Sequence, residues 1–245
     1  MHPILFHFGP FSFYSYGLML ALGFMAAMTL AARRARRLGL DPVAIQSLGI
    51  SVLLGGVAGA RAAYVALNWE MFRASLLEII RLDHGGLVFY GGLAGGILSG
   101  VWTVRKVGLP LWITVDLMVP PGVLGHAIGR VGCFLNGCCY GKNGHPTQLY
   151  ESAALLLLFF LLKGIERRSP RPGTVFLTYG FAYGTWRFLI EFLRGDNPAA
   201  ACGLTAFQWA SIPFAVVCGA LLFLSLRGPK GRSNLVSKPR LLRRP

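Results

Sequence analysis

The chain has 245 residues, of which 54% are hydrophobic and only 13% charged, with a net charge of +15 and a mean hydropathy of +0.57. Soluble domains carry about a quarter charged residues, so an ordinary soluble fold is excluded, and the wealth of Leu, Ala and Gly without aromatic alternation excludes an outer-membrane barrel. A nucleic-acid binder would gather its basic residues on one soluble face, whereas most of the 24 Lys and Arg residues here follow every second apolar run, as cytoplasmic loops do.

The apolar runs predict an all-α, polytopic membrane protein with about seven transmembrane helices, since a span needs about 20 apolar residues. The first covers about Ser12 to Ala32 and is followed by Arg33, Arg34, Arg36 and Arg37. No basic stretch precedes it and no small-residue cleavage site stands out, so it is expected to stay in the membrane with the N-terminus outside. The second runs from about Val43 to Leu67, and a short amphipathic stretch from Glu70 to Asp83 is expected on the outer surface. The third covers about Leu87 to Val104, with Arg105 and Lys106 after it. The fourth covers about Leu111 to Val131 and leads into an outer loop containing three cysteines. The fifth is about Leu149 to Lys163, the sixth about Gly173 to Leu193, and the seventh about Leu204 to Leu226. Residues 1–227 are expected to form one membrane domain, and residues 228–245 a basic, flexible cytoplasmic tail. Gly55 and Gly59, Gly91 and Gly95, and Gly92 and Gly96 recur four apart, a spacing that lets helix backbones approach closely.

Ionisable groups at membrane depth are costly and mark working sites. Residues 125–152, GHAIGRVGCFLNGCCYGKNGHPTQLYES, concentrate them. Arg130 ends the fourth helix between glycines. Its guanidinium fork suits phosphate oxygens; a snorkelling anchor is the alternative. Tyr183, Arg187, Glu191 and Arg194 share one face of the sixth helix and are expected to face the bundle interior. Arg61 is either a ligand group or a brace for backbone carbonyls. Tyr90 and His84, at the start of the third helix, and His145 are candidate proton acceptors; Tyr90 and Tyr16 could equally be interfacial anchors. Cys133, Cys138 and Cys139 permit a disulfide outside the cell, simple packing, or a nucleophilic or redox thiol. Their C-x4-C-C spacing before His145 matches no standard zinc pattern, so neither metal nor cofactor is expected.

Several ordered motifs resemble the bacterial prolipoprotein diacylglyceryl transferase family. They are Tyr16-Gly17-Leu18-Met19; Gly59-Ala60-Arg61 with Tyr64; Gly85-Gly86-Leu87-Val88-Phe89-Tyr90-Gly91-Gly92; and Gly129-Arg130-Val131-Gly132 with Phe134, Asn136, Gly137 and Gly141. His145-Pro146-Thr147-Gln148-Leu149-Tyr150-Glu151 and Arg187-Phe188-Leu189-Ile190-Glu191-Phe192 complete the set. The resemblance implies a multi-pass enzyme of the bacterial inner membrane. It would move diacylglyceryl from phosphatidylglycerol to the lipobox cysteine of prolipoprotein signal peptides, the first step of lipoprotein maturation. It implies catalytic roles for Tyr90, Arg130, Arg187, Glu191 and Tyr16. Substrate contacts are expected from Arg130, Arg61, Gly141, Asn136, His145, Gln148, Tyr183 and Arg194. The implied partners are these substrates and membrane lipids, with no nucleic acid. Three departures stand out: Tyr90 where the family often has histidine, Cys133 where asparagine is usual, and Cys138 where an acid is common. They keep open a same-fold paralogue running another lipid, thiol or redox reaction. A transporter would also bury charges, but at the midplane and with internal repeats, and no repeat is evident.

Overall fold

The computed structural model describes residues 3–8, 11–73, 75–81, 85–168 and 170–227; His84 and the 228–245 tail lie outside them. The chain is predominantly helical and divides into two compact units. One comprises residues 17–128, the other residues 1–16 and 129–245.

The 17–128 unit holds α1 (Ser15–Arg37) from its third residue onward, α2 (Pro42–Leu67), the short α3 (Trp69–Phe72), α4 (Phe89–Val107) and the first part of α5 (Leu111–Asn136). Asp41 caps α2 by accepting the Val43 amide at 2.9 Å, with Pro42 at the first helical position, where its missing donor costs nothing. Helices α2 and α4 pack through their glycines as the spacing predicts. A Cβ at Gly95 would lie 2.2 Å from the Gly55 carbonyl oxygen, and one at Gly59 would lie 2.4 Å from that of Gly91. The same interface carries a polar link, Thr103 donating to Ser51 at 2.7 Å. Ala31, Ala35, Ile45 and Leu117 form a fully buried knot where α1, α2 and α5 meet.

The other unit begins with an antiparallel hairpin, β1 (Ile4–Phe8) and β2 (Phe11–Tyr14), in which Phe6 pairs with Phe13 and His7 with Ser12. The first helix therefore starts at Ser15, not Ser12: the run before it is aromatic and strand-prone. This unit also holds the end of α5, α6 (Thr147–Arg167), α7 (Thr174–Ile190), a hairpin of β3 (Ala199–Ala201) and β4 (Leu204–Thr205), and α8 (Ala206–Arg227). A 3-10 turn, Glu191–Leu193, replaces the expected last turn of the sixth helix, and β4 takes the expected start of the seventh. Between α7 and α8, a Cβ at Gly180 would fall 2.4 Å from the Cys218 sulfur.

Among the described residues, five helices, α1, α2, α5, α6 and α8, are long and apolar enough to cross a membrane. Large apolar side chains stand exposed along the helices, among them Leu54, Leu98, Leu157, Phe160 and Val216. In water such a surface would aggregate; in a bilayer it is the lipid face. The chain is a membrane protein with several spans. Helices α4 and α7 are not among the five. Five glycines and the Arg105–Lys106 pair dilute α4, while α7 has only 17 residues and carries Thr174, Thr178, Tyr179, Tyr183, Thr185 and Arg187.

Candidate active site

Of the charged residues singled out in the sequence, Arg130, Arg187, Glu191 and Arg194 fall into two ion-pair clusters within the unit that contains residues 129–245. In the first, Arg130 Nη2 donates to Glu151 Oε1 at 2.8 Å, and the Tyr183 hydroxyl donates to the same oxygen at 3.1 Å. The Glu151 side chain is 1% exposed and that of Arg130 14%. A buried carboxylate of this kind persists only with a cation and donors around it. Arg130 Nε is buried without a hydrogen-bond partner, as is Gln148 Oε1. Buried donors and acceptors are nearly always satisfied, so these two atoms have bonding capacity left for a ligand or a water.

The second cluster centres on Glu191, which is fully buried. Its Oε2 lies 2.6 Å from Arg187 Nη1 and 3.7 Å from Arg194 Nε. Its Oε1 accepts from Asn197 at 2.6 Å and Thr205 at 2.8 Å. Arg194 also grips Asp196 with two bonds of 3.0 and 2.7 Å. Arg187 stacks over Phe207, 4.6 Å from the ring centre. The expected shared face of Tyr183, Arg187 and Glu191 is thus observed. Arg194 joins the group from beyond the helix, as part of a bridge pairing it with Gly141.

The cysteine loop links the two clusters. After α5 the chain reverses through Gly137, with φ at 77°, and Cys139, with φ at 62°. Left-handed backbone favours glycine and strains other side chains. The first turn of α6 pins the reversal: Thr147 Oγ1 donates to the Cys139 carbonyl at 2.9 Å and Gln148 Nε2 to the Cys138 carbonyl at 2.6 Å. All three cysteines are free thiols, and their sulfurs lie within 4.8 Å of one another. Cys133 is buried; Cys138 and Cys139 are half-buried. The Cys139 thiol is lowered to about 5, chiefly by a hydrogen bond from the Cys133 thiol, then by a hydrogen bond from Arg194 and the charges of Arg194 and Arg130. These contacts favour the thiolate form of Cys139. Tyr16, half-exposed, lies within electrostatic reach of the same three sulfurs and of Arg130.

Two hollows adjoin these groups. An open cleft of about 610 Å³ is lined by Tyr140, Gly141, Lys142, His145, Gln148 and Gly195. Gly141 has no room for a side chain, since a Cβ there would lie 2.6 Å from the His145 carbonyl oxygen. His145 is exposed, with Nδ1 3.4 Å from the Tyr150 hydroxyl. An apolar groove of about 420 Å³ runs along α6 and α7, lined by Leu155, Leu158, Leu161, Ala182, Trp186 and Tyr183. Tyr183 thus belongs to both the groove and the Arg130 cluster. Asn136 is exposed at the end of α5.

Arg61 and Tyr90 belong to the other unit. Arg61 donates to five carbonyls, those of Glu78, Ile79, Arg81, Gly85 and Gly86, at 2.5 to 3.1 Å. It also lies over Phe72 and Tyr64, 5.2 and 5.7 Å from their ring centres. A guanidinium has five N–H groups, and all of these bonds are internal to this unit. Tyr90 is half-exposed, its ring edge-on to Phe89 at 5.5 Å. Glu151 belongs to the 125–152 stretch but to no residue pattern that assigns it a role. The available signal was an acid one turn inside an apolar helix, which requires a cationic partner.

Residues 3–224 match the family described as prolipoprotein diacylglyceryl transferase. Relatives named phosphatidylglycerol–prolipoprotein diacylglyceryl transferase align over nearly the whole chain. That of Clostridium tetani is 32% identical, covering 91% of this chain and 97% of its own length. That of Geobacillus kaustophilus is 34% identical over 88% and 89%. That of Geobacter sulfurreducens is 38% identical over 83% and 85%.

Proposed function

We propose, for a chain that belongs to the prolipoprotein diacylglyceryl transferase family, that it transfers diacylglyceryl from phosphatidylglycerol to the lipobox cysteine of prolipoproteins. The acceptor thiolate attacks the glycerol carbon that carries the phosphate ester. A C–S thioether forms, the C–O bond breaks with its electron pair on the phosphate oxygen, and glycerol phosphate leaves. Only the thiolate is nucleophilic enough for this attack.

The observation that carries the assignment is Arg130. Its Nε has no partner although buried, its other side is fixed by Glu151, and Tyr183 joins that cluster to an apolar groove. This is the layout a phospholipid needs: a cationic donor for the phosphate beside an apolar trough for acyl chains. Fixed donors aimed at developing negative charge are usually the largest catalytic contribution. Arg130 takes the phosphate. Arg187 supplies a second positive charge, held by Glu191. Gln148, Gly141 and His145 shape the cleft through which the headgroup or peptide enters, and Asn136, exposed at the end of α5, is a further substrate contact. Tyr16 flanks the reacting sulfur, and Arg194 ties the cleft loop to the Glu191 cluster. Arg61 braces the 78–86 loop. The reading includes seven spans in the inner membrane, and the basic residues after alternate apolar runs support an N-terminus outside.

The test combines purified protein, phosphatidylglycerol labelled in its acyl chains and a lipobox peptide. Label should appear on the peptide cysteine and fall by at least 10²–10³-fold in Arg130→Ala. A folded wild type that transfers nothing, or an Arg130→Ala variant with full activity, overturns the assignment.

A further inference from the structure

The transfer reaction itself uses none of the three cysteines. Their backbone is strained to bring them together: Cys139 holds a left-handed conformation that its side chain disfavours. Strain of this kind costs about 1–3 kcal/mol and persists where the surroundings enforce it, often at functional sites. Two residues of the next helix enforce it here, Thr147 and Gln148. Packing alone requires neither strain nor convergence of polar sulfur atoms.

The spacing of the sulfurs suits a shared ion better than a pair. A zinc–sulfur bond of about 2.3 Å in a tetrahedron puts neighbouring sulfurs about 3.8 Å apart. The observed sulfurs all lie within 4.8 Å of one another, so side-chain rotations of about 1 Å close the site. Cys138 and Cys139 are adjacent, and a trans peptide fixes their Cα atoms at about 3.8 Å, short of the usual span of a disulfide.

We propose that Cys133, Cys138 and Cys139 form a three-thiolate site for zinc(II), whose open fourth position takes a substrate thiol. Soft thiolates select zinc or copper(I). Three thiolates around zinc leave one net negative charge, which Arg130 and Arg194 are placed to offset. Arg194 hydrogen-bonds the Cys139 sulfur, as an outer partner that orients a metal ligand does. Cys133 closes the buried side, while the two half-buried thiols leave the ion reachable. Three protein ligands with a vacant fourth position is the arrangement of zinc sites that act on substrates.

The fourth-ligand half rests on the transfer reading above; the metal half does not. On that reading the acceptor cysteine binds zinc as its thiolate, and its proton passes to solvent, because a coordinated thiol is deprotonated outright. The sulfur is then ready to form its bond to the glycerol carbon, within the electrostatic neighbourhood of Arg130.

The experiment uses full-length reduced protein in lipid-supplemented detergent under argon, stripped with a chelator and then titrated with zinc(II), copper(I) and cobalt(II), the last as a coloured probe. One zinc per chain is expected, with a tetrahedral thiolate spectrum for cobalt. Uptake should be lost in Cys138→Ser and Cys139→Ser, which are half-buried and tolerant, and kept in Cys202→Ser and Cys218→Ser. A lipobox peptide should shift the cobalt spectrum, and the same peptide with serine for cysteine should not. No zinc uptake while all three thiols remain alkylatable overturns the proposal. So does the loss of two thiols to a disulfide on air exposure without metal uptake. Copper(I) binding without zinc binding, or a cobalt spectrum blind to the peptide, overturns the fourth-ligand half. Labelled transfer from phosphatidylglycerol is read in parallel, so failure of the reaction is seen separately from failure of the metal site.

Discussion

The Arg130–Glu151 pair is the sharpest place to test how the proposed site is held. Truncating Glu151→Ala leaves Arg130 as an uncompensated cation in a largely buried pocket. Removing one partner of a buried pair costs about 3–5 kcal/mol; the 14% exposure of Arg130 places the expected loss at about 3 kcal/mol. Truncating both removes the stranded charge, so the double variant should be milder than the sum of the singles. Two unit charges about 4 Å apart interact by about 4 kcal/mol at an effective dielectric of 20, and desolvation offsets part of that. A coupling of about 2 kcal/mol is expected, within the 0.5–3 kcal/mol range for contacting residues. The assay is a double-mutant cycle of unfolding free energies, measured by denaturing detergent titration in mixed micelles. Transfer should fall in parallel by about a hundredfold in Glu151→Ala, since a displacement of 1 Å in a positioning group costs that much. Coupling below about 0.5 kcal/mol, or undiminished transfer in Glu151→Ala, would mean that Glu151 does not position Arg130.

Three further outcomes follow from the contacts. Tyr183→Phe removes one hydrogen bond to Glu151 and should cost about 1 kcal/mol of stability with less than a tenfold effect on kcat/KM; a thousandfold loss would make Tyr183 a proton donor instead of a support. Arg61→Lys replaces five fixed donors by three rotatable ones and loses at least two carbonyl bonds. Limited proteolysis should accelerate within residues 73–88, and wild-type cleavage rates there would remove its bracing role. Gly141→Ala drives a Cβ against the His145 carbonyl and Thr147; a cost of about 1–3 kcal/mol is expected, with a raised KM for the peptide, and unchanged kinetics would take the 141–148 loop out of the site.

The membrane class and most helices were legible because hydropathy and charge placement are local properties. Helix α2 lies within a residue of its expected start, and the Gly59–Gly91 approach follows from a spacing visible along the chain. The N-terminal hairpin was not legible, because Phe6, Phe8, Phe11 and Phe13 read as an apolar run whatever their period. At the site, the Arg187–Glu191 pair is a helical i, i+4 contact and could be read directly. The Arg130–Glu151 pair is separated by 21 residues and a chain reversal, so nothing local predicts it. The same reversal gathers the three sulfurs. It depends on positive φ at Gly137 and Cys139, and the cysteine spacing alone matched no metal pattern.

Both proposed phosphate-binding arginines are already neutralised in the resting protein, Arg130 by Glu151 and Arg187 by Glu191. This bears on turnover. A bare buried guanidinium would bind any phosphate tightly, including glycerol phosphate, whose charge exceeds that of the diester it came from. Such a site would hold its product. With a carboxylate already in place, an arriving phosphate gains only the difference between two anionic partners, and the product is released more readily. Arg130 Nε is the exception: it can bond a phosphate oxygen without breaking the pair with Glu151. Catalysis needs interactions that strengthen as charge develops on the leaving oxygen, and a buried donor without a partner, on an arginine whose charge is already balanced, is placed to supply one. Glu151→Gln, which removes the counter-charge but keeps an acceptor for Arg130 and Tyr183, should therefore lower KM for phosphatidylglycerol and tighten inhibition by glycerol phosphate while kcat falls. Weaker product inhibition in that variant would contradict a carboxylate that moderates the clamp.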